Sequence, residues 1–204
     1  MHIEFLLEEP SAEAALRNLL PKILPDDVTS ELRNFQGKAN LLTHLPNRLK
    51  GYRNWLPTDW HVVVLVDEDR ENCEALKQQL EEAARQAGLT TKSAARANAS
   101  YQVLNRIAVE ELEAWFFGDI AALTAAYPRV PVSLSEKEKY RDPDAIVGGT
   151  WETLERVLQR YGYYTAGIPK IETARNISQH MEPTRNRSKS FQRFRDGLLA
   201  LISA

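Results

Sequence analysis

Apolar residues fall along this chain in two periods. "IEFLL", Ile3 to Leu7, and "HVVVLV", His61 to Val66, are near-continuous apolar runs of strand length, the second rich in β-branched residues. Elsewhere the spacing changes to three and four. Leu16, Leu19 and Leu20 mark a helix opened by Pro10 and Ser11, with Glu13 in its first turn and Pro21 and Pro25 as its bounds. Leu41, Leu42, Leu45 and Leu49 mark another in "GKANLLTHLPNRLKGYRNW", which Pro46 is expected to bend or break. A third runs from Glu71 to Ala87, closed by Gly88. "TSELRNF" reads as a further strand. This strand–helix alternation predicts an α/β N-terminal part.

The second half of the chain patterns mainly as helix. "SYQVLNRIAV" holds a short strand or a helix start, and "RIAVEELEAWFFGDIAALTAAY" is expected to be helical, in the register of Ala108, Leu112, Trp115 and Phe116. The Pro- and Gly-rich stretch from Pro128 to Thr150 reads as a long loop, with Thr150 capping the helix of "TWETLERVLQRYGYY". "IPKIETARNISQHM" and "SKSFQRFRDGLLALI" are two more helices, the last capped by Ser188 or Ser190. No repeat, low-complexity run or clean linker divides the chain. One domain over residues 1–204 is expected, with a helix-rich C-terminal extension.

Composition narrows the function classes. With 204 residues, 43% of them hydrophobic, the chain supports a sizeable core. A net charge of −2 gives no global attraction to nucleic acid, so any such attraction needs a local patch. The lone Cys73 excludes an internal disulfide and suits a cytoplasmic protein. The N-terminus lacks the basic region of a signal peptide, and no stretch reaches the roughly 20 apolar residues of a membrane span.

The candidate chemistry lies where apolar runs end in acids. Asp67-Glu68-Asp69 follows the strongest strand, at the edge where open α/β sheets bind ligands. If the chain stays extended there, Asp67 and Asp69 point to one side and Glu68 to the other. Carboxylates are hard ligands suited to Mg²⁺, but Asp is also common ahead of a helix as a cap. Glu8-Glu9 ends the first strand in the same way. Parallel neighbouring strands would bring these acids face to face, and a divalent cation would relieve their repulsion. In "VEELEAWFFGD", Glu111 and Glu113 flank the apolar arc on either side, whereas Asp119 falls inside it, a poor place for an unpaired charge. His2, His44, His61 and His180 show no zinc-ligand spacing.

"LLEEPSAEAAL" and "VVVLVDEDRENC" together resemble the Toprim pattern, a strand ending in glutamate and a later strand ending in Asp-x-Asp. "ELEAWFF" resembles the Glu-x-Glu-x-aromatic helix of the overcoming-lysogenization-defect-type Toprim nucleases. "FQGKANLL", "NRIAVEELEAWFFGD", "YRDPDAIVGGTWE" and "NRSKSFQRFRDGL" are similar to an uncharacterised bacterial family with a Toprim-like core. The resemblance implies a Toprim-like (Rossmann-like), mostly parallel sheet flanked by helices. It also implies a Mg²⁺- or Mn²⁺-dependent nuclease cleaving DNA or RNA, with Asp67, Asp69, Glu113 and Glu111 as metal ligands and Glu8 as ligand or general base. An ATPase partner and a role in defence against phage or plasmids are implied too. The chain departs from the pattern at Glu9, where a glycine usually follows the strand glutamate. That leaves open which of Glu8 and Glu9 acts, and leaves room for a non-catalytic binding or regulatory subunit of an ATPase complex.

The C-terminal part supplies the opposite charge. Lys170, Arg175, Arg185, Arg187, Lys189, Arg193 and Arg195 stand in a stretch with few acids. Lys170 is the candidate transition-state cation, and Arg175, Arg187 and Lys189 are the candidate phosphate contacts, against the alternative of a solvated basic face. Lys38, at the head of a helix, lacks the spacing of a phosphate loop.

Overall fold

The computed structural model describes residues 1–96 and 99–203. Four strands carry the architecture: β1 (His2–Leu7), β2 (Thr29–Asn34), β3 (Trp60–Asp67) and β4 (Val103–Ala108). All pair in parallel, in the order β2-β1-β3-β4. The connections are helical, as parallel strands require: α1 (Pro10–Ile23), α2 (Lys38–Trp55) and α3 (Cys73–Gln86). The chain leaves β1 toward β2 on one side and returns to β3 on the other. The sheet therefore has a switch point between the C-terminal ends of β1 and β3, which is the place where open α/β sheets form their binding crevice.

Strand alternation sorts the side chains into two layers. Ile3, Phe5, Leu7, Val63 and Leu65 face one core, with Leu16 and Leu19 of α1 and most of the C-terminal helices. Leu6, Val62, Val64 and Val66 face the other, against α2 and α3. Both faces are covered, so the central strand reads as an unbroken apolar run. Asp67 continues the Val63–Leu65 side.

The C-terminal elements are α4 (Glu113–Gly118), α5 (Ile120–Ala126), α6 (Thr150–Arg160), α7 (Lys170–Ser178) and α8 (Lys189–Ile202), with three short 3₁₀ turns between Val132 and Ala145. α7 lies along α1 in the same direction. Lys170 at its start meets Glu9, while Asn18 and Lys22 of α1 donate to carbonyls at its end, among them Gln179 O at 2.7 Å. Both helices thus aim their positive dipole ends at the switch point. Ser188 caps α8 through the Phe191 amide, and Trp115, wholly buried, donates to Ser190 Oγ at 3.0 Å.

The structure corrects several expectations. α2 runs through Pro46 without a break, and α1 runs through Pro21. Tertiary packing of Leu41, Leu45 and Leu49 outweighs the one hydrogen bond that Pro46 removes. The expected helix over 106–127 is three elements. Arg106 to Ala108 belong to β4, because that segment supplies the fourth strand, and Asp119 divides the rest. Gly118 leaves no room for a side chain beside Asn186, and Asp119 restarts the helix by accepting from the Ala122 amide. Buried Asp119 is paired, with Arg185 at 2.8 Å and with the Glu182 amide. Thr150 is not a cap. It lies inside α6, and Gly149 precedes it with φ +80°. No helix among the described residues is long and apolar enough to cross a membrane.

Candidate functional site

At the switch point the Glu8 and Glu113 carboxylates lie near enough for their charges to act on Asp67. Glu8 leaves β1 one residue past the Leu7–Leu65 register and accepts the Asp67 backbone N–H at 3.0 Å. Asp67 ends β3, paired in register with Ala108 of β4. Glu113 starts α4, and four residues separate it from the end of β4. Glu8 and Glu113 are buried, at 7% and 2% exposure. The Glu113 atom Oε2 is buried with no hydrogen-bond partner among the described residues. Lys170 faces the group from the start of α7, with Nζ 3.2 Å from Glu9 and 5.1 Å from the Trp151 ring centre.

The electrostatics follow from that crowding. Burial, then the neighbouring Glu113 and Glu8 charges, hold the Asp67 carboxyl well above the usual carboxylate range. Burial pushes Glu113 up to about 7, against the pull of Lys170. Glu8 is raised as well, by burial, with the Asp67 amide opposing. Burial disfavours the Lys170 cation, yet Glu113 and Glu9 outweigh it and its pKa is raised. A group of acids that resist ionising thus stands beside a cation held firmly protonated.

The other acids take different roles. The strand ends at Asp67, and Asp69 adopts a left-handed backbone with φ +54°, so the alternation expected to align Asp67 with Asp69 does not hold. Asp69 instead pairs with Lys38 at 2.6 Å, and Lys38 also meets Glu71 at 3.3 Å. Its charge still acts on both Glu8 and Asp67. Glu68, expected to be a bystander, accepts the Glu110 amide at 3.1 Å, while the Asp69 amide donates to Glu110 O at 2.6 Å. Glu110 is left-handed too, at φ +61°. Two non-glycine residues in that region, each costing about 1–3 kcal/mol, clamp the β3 and β4 loops together at the site. Glu111 does not project from a helix. It precedes α4 and accepts from Thr150 Oγ1 at 2.9 Å and from the Trp151 amide at 2.7 Å, so it anchors α6. Among the described residues, no three His, Cys, Asp or Glu side chains form a group that could hold a metal ion as they stand.

The basic candidates are dispersed. Arg175 and Arg187 are exposed and form no ion pair among the described residues, and Arg175 lies about 7.5 Å of helix rise beyond Lys170. Lys189 stands 3.5 Å from Asp142. Lys38 is the residue that sequence reasoning underrated. Its signal was Gly37, whose φ of +127° turns the chain so that α2 starts at the end of β2. Glu9 was legible only as a departure from a pattern, not as the partner of Lys170.

The model of a family described as a domain of unknown function, DUF4276, matches residues 7–199. No curated protein matches the chain. Among solved structures, the C-terminal region of the Xanthomonas campestris pv. campestris OLD protein is similar, at 13% identity and a TM-score of 0.48, covering 98% of this chain and 95% of that one. Likeness at that level carries no argument about chemistry.

Proposed function

Because the chain belongs to the DUF4276 family, whose description assigns no activity, its chemistry rests on its own residues; we propose that it is a Toprim-type, metal-dependent phosphodiesterase, a nuclease acting on DNA or RNA. The observation that carries this reading is the buried, half-unpartnered Glu113 carboxylate beside Asp67 and Glu8, with Lys170 facing it. Crowded acids in a low-dielectric crevice favour a cation, and hard oxygen donors favour Mg²⁺ or Mn²⁺. Asp67 and Glu113 would hold it, with Glu8 as a further ligand or as base, and Asp69 near the rim. Glu111 has a structural task in this reading.

When bound, the ion supplies positive charge to the phosphoryl oxygens and acidifies water. The residues of the chain do the rest. Glu8, fixed by the Asp67 amide, is placed to take a proton from an attacking water. Lys170 offers its ammonium to developing negative charge, and the ends of α1 and α7 add favourable dipoles. An ATPase partner and a defence role rest on the motif resemblance alone.

One observation favours a second reading, a non-catalytic binding subunit of an ATPase complex: Glu9 already neutralises Lys170. Plasmid nicking separates the two. The nuclease reading expects Mn²⁺-dependent nicking that Asp67→Ala and Glu113→Gln abolish. Folded, metal-binding protein without nicking on DNA or RNA would select the subunit reading.

A further inference from the structure

A second charged cleft opens beside β4, one of the two edge strands of the sheet. It has a volume of about 680 Å³ and lies between α3, β4 and α8. That volume falls in the range of small-molecule sites. Five cations line it, and its acids do not balance them. Lys77 is paired with Glu81, and Lys189 faces Asp142. Asp196 pairs with Arg195, outside the cleft lining, and Asp144 accepts from Ser188 and Ser190 at the start of α8. Lys92, Arg106 and Arg193 are left with no carboxylate within ion-pair distance among the described residues.

Arg106 is the centre of this surplus. Its guanidinium is half-buried and donates only to backbone carbonyls, Nε to Arg193 O and Nη1 to Asn105 O, both at 3.0 Å. It lies against Gly197, where an added Cβ would stand 2.5 Å from Nη2. A glycine inside α8 costs about 1 kcal/mol relative to alanine. Here it makes the room that Arg106 occupies. Burial depresses the Arg106 pKa, with Arg193 adding to it against the pull of Tyr101 and Glu81, and burial and Arg106 depress that of Lys92 against the pull of Asp196. Cations gathered at mutual cost call for an anion, and Nη2 of Arg106, which makes no hydrogen bond among the described residues, is the donor left to offer a tetrahedral oxyanion beside Lys92 and Arg193.

We propose that this cleft is a phosphate-binding site centred on Arg106, Lys92 and Arg193 and separate from the carboxylate cluster. It takes a nucleotide phosphate, free or within a strand. The site stands whether or not the carboxylates cleave anything.

Binding is measured in EDTA, with inorganic pyrophosphate by calorimetry and with a short fluorescein-labelled single-stranded DNA by anisotropy. Wild-type protein is expected to bind at least one probe. Arg106→Gln should weaken that binding about 10-fold or more, since a charge-assisted hydrogen bond contributes that much. Gly197→Ala, which displaces the guanidinium and keeps the charge, should weaken it several-fold. Glu113→Gln should leave it unchanged. Pyrophosphate binding alone marks a free phosphorylated ligand. Oligonucleotide binding whose salt slope falls by about 1 in Arg106→Gln marks a strand. If Arg106→Gln does not fold, Lys92→Gln replaces it. Binding of neither probe at millimolar concentration, or wild-type affinity in the folded Arg106 (or Lys92) and Gly197 variants, would overturn the proposal. Loss of nicking with phosphate binding intact would count against the nuclease reading only.

Discussion

The Glu8 carboxylate accepts the Asp67 backbone N–H at 3.0 Å, which ties the ends of β1 and β3 together across the switch point of the sheet. One side chain therefore serves both the architecture and the candidate chemistry, and the two roles separate by substitution. Glu8→Ala leaves a partly buried amide without its acceptor and should cost about 1–3 kcal/mol, read as a lower urea midpoint. Glu8→Gln keeps an acceptor oxygen and should recover most of that loss. The nuclease proposal expects Glu8→Gln to remain defective in metal-dependent plasmid nicking.

Glu113 makes stability depend on pH. Its folded pKa of about 7 stands above the 4.5 of an unperturbed glutamate. Between those values the folded state binds the extra proton. Stability is therefore full below about 4.5 and falls as pH rises toward 7, by roughly 3 kcal/mol for this group alone. In EDTA, the Tm of Glu113→Gln relative to wild type should rise between pH 5 and pH 8. A difference that stays flat over that range would contradict the shift.

Metal binding should show the same linkage in reverse. A ligand carboxylate must be deprotonated, so Mg²⁺ or Mn²⁺ should release protons on binding and stabilise the protein more at pH 8 than at pH 6. Asp67→Ala should remove this stabilisation. Asp69→Ala, at a residue held by Lys38, should reduce it less. Thermal shift at millimolar metal reads both. Absence of any shift in the intact protein would remove the metal from the proposed mechanism.

Glu9 and Lys170 offer a test of activity rather than of folding. Glu9→Gln frees Lys170 from its 3.2 Å partner and should raise nicking by the nuclease reading. Lys170→Met should lower kcat by about 10²–10³-fold, the usual cost of a lost transition-state donor. An unchanged rate in Lys170→Met would reassign the lysine to packing against Trp151.

Asp119 and Arg185 supply a structural control remote from these effects. The Asp119 side chain is fully buried, and Arg185 is its only ion-pair partner among the described residues. Arg185→Ala should destabilise by about 1–3 kcal/mol, because it removes the charge partner of a buried carboxylate while Arg185 itself is half-exposed and the Ala122 and Glu182 amides still donate to Asp119. The double variant with Asp119→Asn should recover part of that loss.

Much of this molecule was legible in the chain itself. The apolar runs before Glu8 and Asp67 placed two strands ending in acids, and the three-four spacing of leucines placed α1, α2 and the body of α3, because burial imposes the period of each element on its sequence. What the sequence left open was decided by long-range contacts. "NRIA" joined the sheet because β3 needed a neighbour, although its own pattern also suited a helix. Asp69 turned away because the loop at the end of β3 closes against Glu110 in a left-handed bend, a conformation no period announces. Glu111 went to Thr150, Lys170 to Glu9 and Arg106 to Gly197, pairings separated by dozens of residues. Local periodicity records which face of an element is buried. It carries no record of which charge from a distant element arrives there, and that arrival determines which acids share a site and which are only anchors.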